Sequence, residues 1–132
     1  MTWKLSNRSK QCLQGVHPDL VRVVNRTLEI SPYDFGITEG VRNIETQKRY
    51  VAEGKSKTMN SYHLKQEDGY SYAVDFAVYL GSNITWEIGY YRKVIQSFMT
   101  AAIELGVQIE AGGLWRTFVD GPHIQLNKDY YG

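Results

Sequence analysis

The chain has 132 residues, of which 42% are apolar and 22% are charged, and its formal net charge is +1. This length predicts one compact domain over residues 1–132, with a core large enough to need neither disulfides nor a structural metal. The near-neutral charge excludes the basic surface of a nucleic-acid-binding protein. The single cysteine, Cys12, excludes a disulfide framework and a thiolate-rich zinc site.

The amino-terminal stretch MTWKLSNRSK turns polar within a few residues and lacks the apolar region of a signal peptide. No run approaches the roughly 18 consecutive apolar residues of a membrane-spanning helix. We therefore expect synthesis in the cytoplasm and no stable membrane insertion. We also expect a monomer, which acts outside the cytoplasm only if another component delivers it.

The amino-terminal half predicts three helices and one strand. Pro18 and Asp19 suit the first turn of the second helix, Asn43 is the expected N-cap of the third, and Gly54 follows its end. The predicted elements are helices at residues 6–14, 17–30 and 43–54, and a strand at 34–40. One face of the second helix is predicted to contain Leu20, Val24, Thr27 and Leu28.

The stretch YSYAVDFAVYL, residues 70–80, alternates in the manner of a strand. One of its faces is predicted to be core and contains Tyr72, Val74, Phe76, Val78 and Leu80. The opposite, smaller face carries one acid and contains Ala73, Asp75, Ala77 and Tyr79. An acid among apolar neighbours needs a partner, either a metal or a lysine or arginine.

The carboxy-terminal part predicts a long helix at residues 87–106 and two short strands at 107–113 and 122–126. In the last strand, His123 and Gln125 face one way and Ile124 and Leu126 face the other. Helices that precede a mixture of strands and helices favour an α+β fold with an antiparallel sheet.

Three side chains in this pattern suit a catalytic metal. His63 ends a polar loop, Asp75 lies on the small face of a strand, and His123 lies on the polar face of another. Two imidazoles and a carboxylate form a common zinc set that leaves the fourth position for water. The spacing alone also permits the simpler reading, in which each histidine is an ordinary hydrogen-bonded polar residue.

Two further residues are candidates for the chemistry of such a site. Asp120 precedes His123 by three residues, and the intervening Gly-Pro turn could bring its carboxylate back as a general base. Arg42 follows a predicted strand end and could polarise a carbonyl or hold a substrate carboxylate. The alternative for Asp120 is an ordinary aspartate in a turn, and the alternative for Arg42 is a surface ion pair.

His17, before Pro18, is interpreted as a helix-entry residue.

The stretches NSYH, AVDF and WRTFVDGPHIQL together resemble a known peptidase family. This family contains bacterial D,D-carboxypeptidases, D-alanyl-D-alanine dipeptidases and phage L-alanyl-D-glutamate endopeptidases. Its pattern of Ser-x-His, Ala-x-Asp and an acid three residues before a second histidine matches Ser61, His63, Ala73, Asp75, Asp120 and His123. The stretches GVHPDLVRVV and ITEGVRNIETQ are most similar to the phage endolysin branch, and the resemblance covers about residues 5 to 126.

The resemblance implies that His63, Asp75 and His123 bind Zn²⁺ and that Asp120 is the catalytic acid and base. Arg42 matches the family arginine that faces substrate, and Gln47 and Ser61 are candidates for substrate binding. The implied fold is the one shared by these peptidases and the hedgehog signalling domain, with a small antiparallel sheet packed against helices. The whole chain would then be a single catalytic peptidase domain.

The implied function is that of an endolysin, which cleaves the L-Ala–D-Glu bond of the peptidoglycan stem peptide and lyses the host cell. The enzyme would wait in the host cytoplasm until a membrane pore releases it to the cell wall. The absence of a second, wall-anchoring module suggests a thin, Gram-negative wall. There are two alternatives. One is a D-alanyl-D-alanine carboxypeptidase of the same family, and the other is a non-catalytic zinc-binding module for the cell wall.

The sequence departs from the family pattern in two places. The gap between His63 and Asp75 is longer than usual, which we interpret as an insertion at Lys65–Gly69 that forms a solvated hairpin tip. Glu67 and Asp68 in this insertion could instead line the cleft or bind a second cation. Leu114 stands where the family often has an acid, which puts any role of that acid in doubt here.

Overall fold

The computed structural model describes residues 3–56, 59, 61–114 and 120–131. The helices are α1 (Asn7–Cys12), α2 (Pro18–Ile30), α3 (Ile44–Ala52), α4 (Ile88–Leu105) and α5 (Lys128–Tyr131). The strands are β1 (Asp34–Glu39), β2 (Ala73–Leu80), β3 (Asn83–Thr85), β4 (Ile109–Ala111) and β5 (His123–Leu126). A short 3₁₀ turn, Gly112–Leu114, follows β4. None of these described helices is long and apolar enough to cross a membrane.

The strands form one antiparallel sheet in the order β1-β2-β5-β4, and β3 pairs with the distal part of β2. The sheet and the helices around it confirm the predicted α+β class. The central strand β2 places Asp75 opposite Glu39 of β1 on one side and opposite His123 of β5 on the other. Polar residues from three strands therefore meet at one level of the sheet.

Local sequence signals explain where α1, α2 and α3 begin. The Ser6 hydroxyl accepts a hydrogen bond from the Ser9 amide at the start of α1, and the Asn43 side chain accepts one from the Thr46 amide at the start of α3. His17 caps α2 by accepting from the Asp19 amide through Nδ1, at 3.1 Å. This contact confirms the interpretation of His17 as a helix-entry residue.

The hydrophobic core lies between the sheet and the helices α2 and α4. Phe76 of β2 packs its ring against Phe35 of β1 and Phe98 of α4, with centroid distances of 5.8 and 5.2 Å. The predicted face of α2 is buried throughout, as Leu20, Val24, Thr27 and Leu28 show. The core prediction for Leu80 was wrong, because β2 ends there at the turn into β3 and the side chain is 36% exposed.

The segment between His63 and β2 folds into a small hairpin. Lys65 pairs with Ser71, and Gly69 closes the turn with a φ of +87°, which favours glycine. Glu67 and Asp68 are exposed at its tip, as predicted for this insertion. The Asp68 carboxylate accepts hydrogen bonds from the Tyr72 hydroxyl and the Tyr70 amide, so this tip is tied to the chain that enters β2.

Candidate metal centre

His63, Asp75 and His123 converge, although they come from a loop, β2 and β5. The Asp75 carboxylate oxygen Oδ1 lies 3.2 Å from Nε2 of His63 and 3.3 Å from Nδ1 of His123. The three potential ligand atoms all lie within 4.8 Å of one another. The predicted hairpin thus leaves His63 beside Asp75, and the register of β2 against β5 adds His123. This group could hold a metal ion.

The outer ring nitrogens of both histidines meet oxygen atoms. Nδ1 of His63 lies 2.9 Å from the Gly40 carbonyl oxygen, and Nε2 of His123 lies 2.8 Å from Oε1 of Gln125. A carbonyl oxygen only accepts, so Nδ1 of His63 carries a proton, and in the neutral ring Nε2 keeps the lone pair that could bind a cation. Metal-binding histidines show this arrangement, in which the outer nitrogen donates to an oxygen.

The electrostatics of Asp75 depend on its two histidine neighbours. Burial opposes ionisation, but when no metal is bound and the two imidazoles are protonated, the charges and hydrogen bonds of His63 and His123 outweigh it and hold the pKa of Asp75 well below its usual range. Among the described residues no lysine or arginine forms an ion pair with Asp75. The partner that a buried acid requires is therefore the histidine pair, together with any cation that the pair helps to bind.

Asp120 is fixed beside His123 by the backbone. Its amide donates to the Gly112 carbonyl oxygen at 3.0 Å, and its own carbonyl oxygen accepts from the His123 amide at 3.2 Å. Burial and the nearby negative charge of Asp75 raise the pKa of Asp120, while His123, His63 and Arg42 act in the opposite direction. Asp120 therefore lies within the electrostatic influence of the candidate metal ligands.

Arg42 is held rigidly at the edge of this group. Its guanidinium donates to the Glu39 carboxylate through Nε and a terminal nitrogen, and to Oε1 of Gln47 at 2.7 Å. The guanidinium also lies 4.6 Å from the centre of the Tyr50 ring. The side chain is only 8% exposed, so its ion pair with Glu39 is not the surface pair that sequence reasoning allowed.

Gln47 and Ser61 support the polypeptide around the candidate centre. Gln47 is fully buried, where it accepts from Arg42 and donates to the Ser56 hydroxyl at 2.9 Å. The Ser61 hydroxyl accepts a hydrogen bond from the His63 amide at 3.1 Å. The structure thus places both beside predicted site residues, Gln47 against Arg42 and Ser61 against the backbone of His63.

Comparisons with known proteins agree on one family. The model of the family described as phage L-alanyl-D-glutamate peptidase matches residues 1–127. The chain belongs to this family. It is 32% identical to the L-alanyl-D-glutamate peptidase of Escherichia phage T5, across 96% of this chain and 99% of the phage protein. It is also 40% identical to the enzyme of that name from Listeria phage A118, over 73% of this chain and 31% of that protein.

A solved structure shows a similar fold. The chain superposes on the Serratia marcescens L-Ala D-Glu endopeptidase ChiX with a TM-score of 0.87 and 38% sequence identity. The match covers 98% of this chain and 95% of that one. The TM-score and the coverage show that the two chains share one fold.

Sequence reasoning missed two residues that contact the candidate metal centre or Arg42. Glu39 holds Arg42 and lies with its Oε1 3.9 Å from Nδ1 of His63. Gln125 accepts from His123, and the strand alternation that placed both on one face was a signal that could have identified it. Residues 115–119 of the stretch WRTFVDGPHIQL lie outside the described residues, whereas Leu114 is 56% exposed.

Proposed function

We propose that this protein is a zinc-dependent endolysin that cleaves the L-Ala–D-Glu bond of the peptidoglycan stem peptide and so lyses the host cell. The observation that carries the proposal is the convergence of His63, Asp75 and His123, of which the two histidines are buried, in a chain of the phage L-alanyl-D-glutamate peptidase family. Asp120 and Arg42 beside this group supply the other chemical functions that amide hydrolysis requires.

The donor set fits Zn²⁺ better than it fits the other common cations. Two imidazole nitrogens and one carboxylate oxygen suit a borderline-soft ion, whereas Mg²⁺ and Ca²⁺ prefer oxygen ligands. Ligands about 2.0–2.1 Å from a tetrahedral zinc lie roughly 3.3 Å from each other. The distances of 3.2 and 3.3 Å from Asp75 to the two histidines agree with this spacing.

The roles of the individual side chains follow from their positions. When bound, zinc supplies a Lewis acid that activates water and polarises the scissile carbonyl. Asp120 accepts the proton that the attacking water loses, and then donates it to the amine of the departing D-Glu. Arg42, held by Glu39 and Gln47, contributes a fixed positive charge that stabilises the developing oxyanion or holds a substrate carboxylate.

Support from the remaining predicted residues is indirect. Gln47 keeps the Arg42 guanidinium in one orientation, and Ser61 orders the loop that carries His63. We therefore assign positioning roles to Gln47 and Ser61, while Arg42 acts through its positive charge. Since the target is the cell wall, we further propose that the enzyme accumulates in the host cytoplasm and reaches peptidoglycan after release.

A product analysis tests the proposed bond specificity. Zinc-loaded protein is incubated with purified peptidoglycan, and the new amino termini of the soluble fragments are identified by labelling and mass spectrometry. We expect a free amino group on D-Glu that increases with time. Released D-Ala without that new amino terminus would instead indicate a D-alanyl-D-alanine carboxypeptidase, and fragments with neither product would contradict the proposed bond specificity.

A further inference from the structure

The buried end of β5 contains an amide that the proposed chemistry does not use. Gln125 is 5% exposed, and its Oε1 lies 2.8 Å from Nε2 of His123. Its amide nitrogen Nε2 is buried, and no hydrogen-bond acceptor in the described part of the chain reaches it. An unpaired buried donor is unfavourable, so this orientation of the amide requires a compensating interaction.

The two histidines of the candidate centre differ in how their tautomers are determined. His63 faces the Gly40 carbonyl oxygen, which can only accept, so its tautomer has no alternative in the neutral state. His123 faces an amide, which can present either an oxygen or an NH₂ group. The orientation of Gln125 therefore decides which nitrogen of His123 carries the proton.

Only one of these two orientations permits metal binding by His123. With Oε1 toward the ring, Nε2 of His123 is protonated, and Nδ1 presents a lone pair 3.3 Å from Asp75. With the NH₂ group toward the ring, Nε2 would accept and Nδ1 would carry the proton. That proton would be directed at Asp75 and would occupy the position where a metal must bind.

We propose that Gln125 is a positioning residue that holds His123 in the Nε2-protonated tautomer and thereby presents Nδ1 to the metal. This inference rests on the proposed zinc function. Metal binding by Nδ1 of His123, which the opposite orientation of the amide would prevent, offsets the cost of the unpaired amide nitrogen of Gln125. An acceptor at this position also makes the imidazole a stronger ligand.

Substitution at position 125, with zinc affinity as the readout, tests this role. Gln125→Leu removes the acceptor but keeps a side chain of similar size, whereas Gln125→Glu keeps an acceptor. Thr27→Val is the control, because it removes a different buried hydrogen bond, in α2. Zinc dissociation constants are measured by competition with a chromophoric chelator, after circular dichroism shows that each variant is folded. We expect weakening of about 10–100-fold for Gln125→Leu, and little change for Gln125→Glu and Thr27→Val.

A second measurement needs no variant and remains decisive if Gln125→Leu fails to fold. Two-bond ¹H–¹⁵N correlation spectra of the wild-type protein report the protonated nitrogen of His123. We expect a proton on Nε2 both with and without zinc. A zinc-bound His123 with its proton on Nδ1 would overturn the inference, as would unchanged zinc affinity in folded Gln125→Leu or equal weakening in Gln125→Glu. Failure of the wild type to bind zinc would instead contradict the proposed function.

Discussion

At the scale of single residues, two nearby carboxylates differ in the direction of their pKa shifts. The histidines on either side of Asp75 hold its pKa well below the usual range despite burial, whereas burial and the charge of Asp75 raise the pKa of Asp120. Neighbouring acids with opposite shifts suit different chemical roles. Asp75 is suited to remain an ionised ligand, while Asp120 is suited to take up and release a proton.

We expect Asp120→Asn to lower the rate of peptidoglycan cleavage by about 10²–10⁴-fold, because an amide cannot accept the proton. Zinc content should stay the same, since Asp120 is not among the three potential ligands. Turbidity loss of purified cell walls and metal analysis measure the two effects. Asp34→Asn is the matched control, because burial also raises the pKa of Asp34, at the start of β1. Full activity in Asp120→Asn would contradict the proposed acid–base role.

Glu39→Gln tests whether the charge of Arg42 needs a fixed partner. The substitution keeps an oxygen for the guanidinium but removes the carboxylate of a pair in which Arg42 is 8% exposed. We expect the free energy of unfolding to fall by about 1–3 kcal/mol, with a parallel fall in activity, as measured by urea unfolding and wall lysis. Arg26→Gln removes the exposed pair with Glu104 and should change stability little. Equal effects of the two substitutions would argue against a special role for the Glu39–Arg42 pair.

At the scale of secondary-structure elements, the 3₁₀ turn after β4 determines where Asp120 lies. A Cβ atom on Gly112 would lie 3.0 Å from the Cβ atoms of Asp120 and His123, and closer still to the Asp120 carbonyl oxygen. Because that oxygen belongs to the backbone, it cannot move aside as a flexible side chain would. The turn therefore needs glycine in order to bring Asp120 against the strand that carries His123.

We expect Gly112→Ala to reduce both activity and stability, because the added methyl group displaces the segment from Asp120 to His123. The loss of stability should be about 1–3 kcal/mol, as is typical of overpacking, and thermal unfolding measures it. Gly89→Ala in α4 is the matched control, since a Cβ there has open space, and it should stabilise by up to about 1 kcal/mol. Normal lysis by Gly112→Ala would show that the close approach is dispensable.

Local patterns predicted the elements whose signals lie within a few neighbouring residues. The alternation in β2 and the side-chain caps at Asn43 and His17 are of this kind. The strand β3 and the helix α5 were not predicted, because each is short and β3 depends on pairing with β2. The exposure of Leu80 depends on where the neighbouring elements end, which alternation within one strand does not reveal.

The residues of the candidate site that belong to short sequence motifs were predicted. His63, Asp75, Asp120 and His123 were identified from motifs, and the structure brings the three ligand candidates together. The contacts of Gln125 with His123 and of Glu39 with Arg42 were not predicted. They depend on side-chain orientations in the folded chain. Both residues lie within the quoted stretches ITEGVRNIETQ and WRTFVDGPHIQL, but the pattern of those stretches assigns them no contact.

At the scale of the whole molecule, the three candidate ligands lie far apart along the chain. Asp75 is 12 residues from His63 and 48 from His123, so the unfolded chain does not present all three as a preformed site. A ligand that binds only the native state stabilises it by mass action. Zinc should therefore stabilise the folded protein as well as support its chemistry.

We expect removal of zinc by a chelator to abolish wall lysis and to lower the melting temperature. At free zinc of 100 times the dissociation constant, the stabilisation is about 2.7 kcal/mol, which differential scanning calorimetry can measure. Adding back zinc should restore both properties, whereas the same concentration of magnesium should restore neither. A melting temperature that does not respond to zinc would contradict a metal site built from these three residues.

The exposed hairpin tip at Glu67 also has a practical consequence for protein engineering. Tips of this kind tolerate inserted sequence better than other parts of a fold, and this one connects His63 to β2 without contributing a ligand candidate. The hydrogen bonds from Tyr72 and Tyr70 to Asp68 connect the tip to the chain that enters β2. A peptide inserted just before Asp68 would leave these bonds in place. A short affinity peptide at this position offers a way to direct lysis to chosen bacteria.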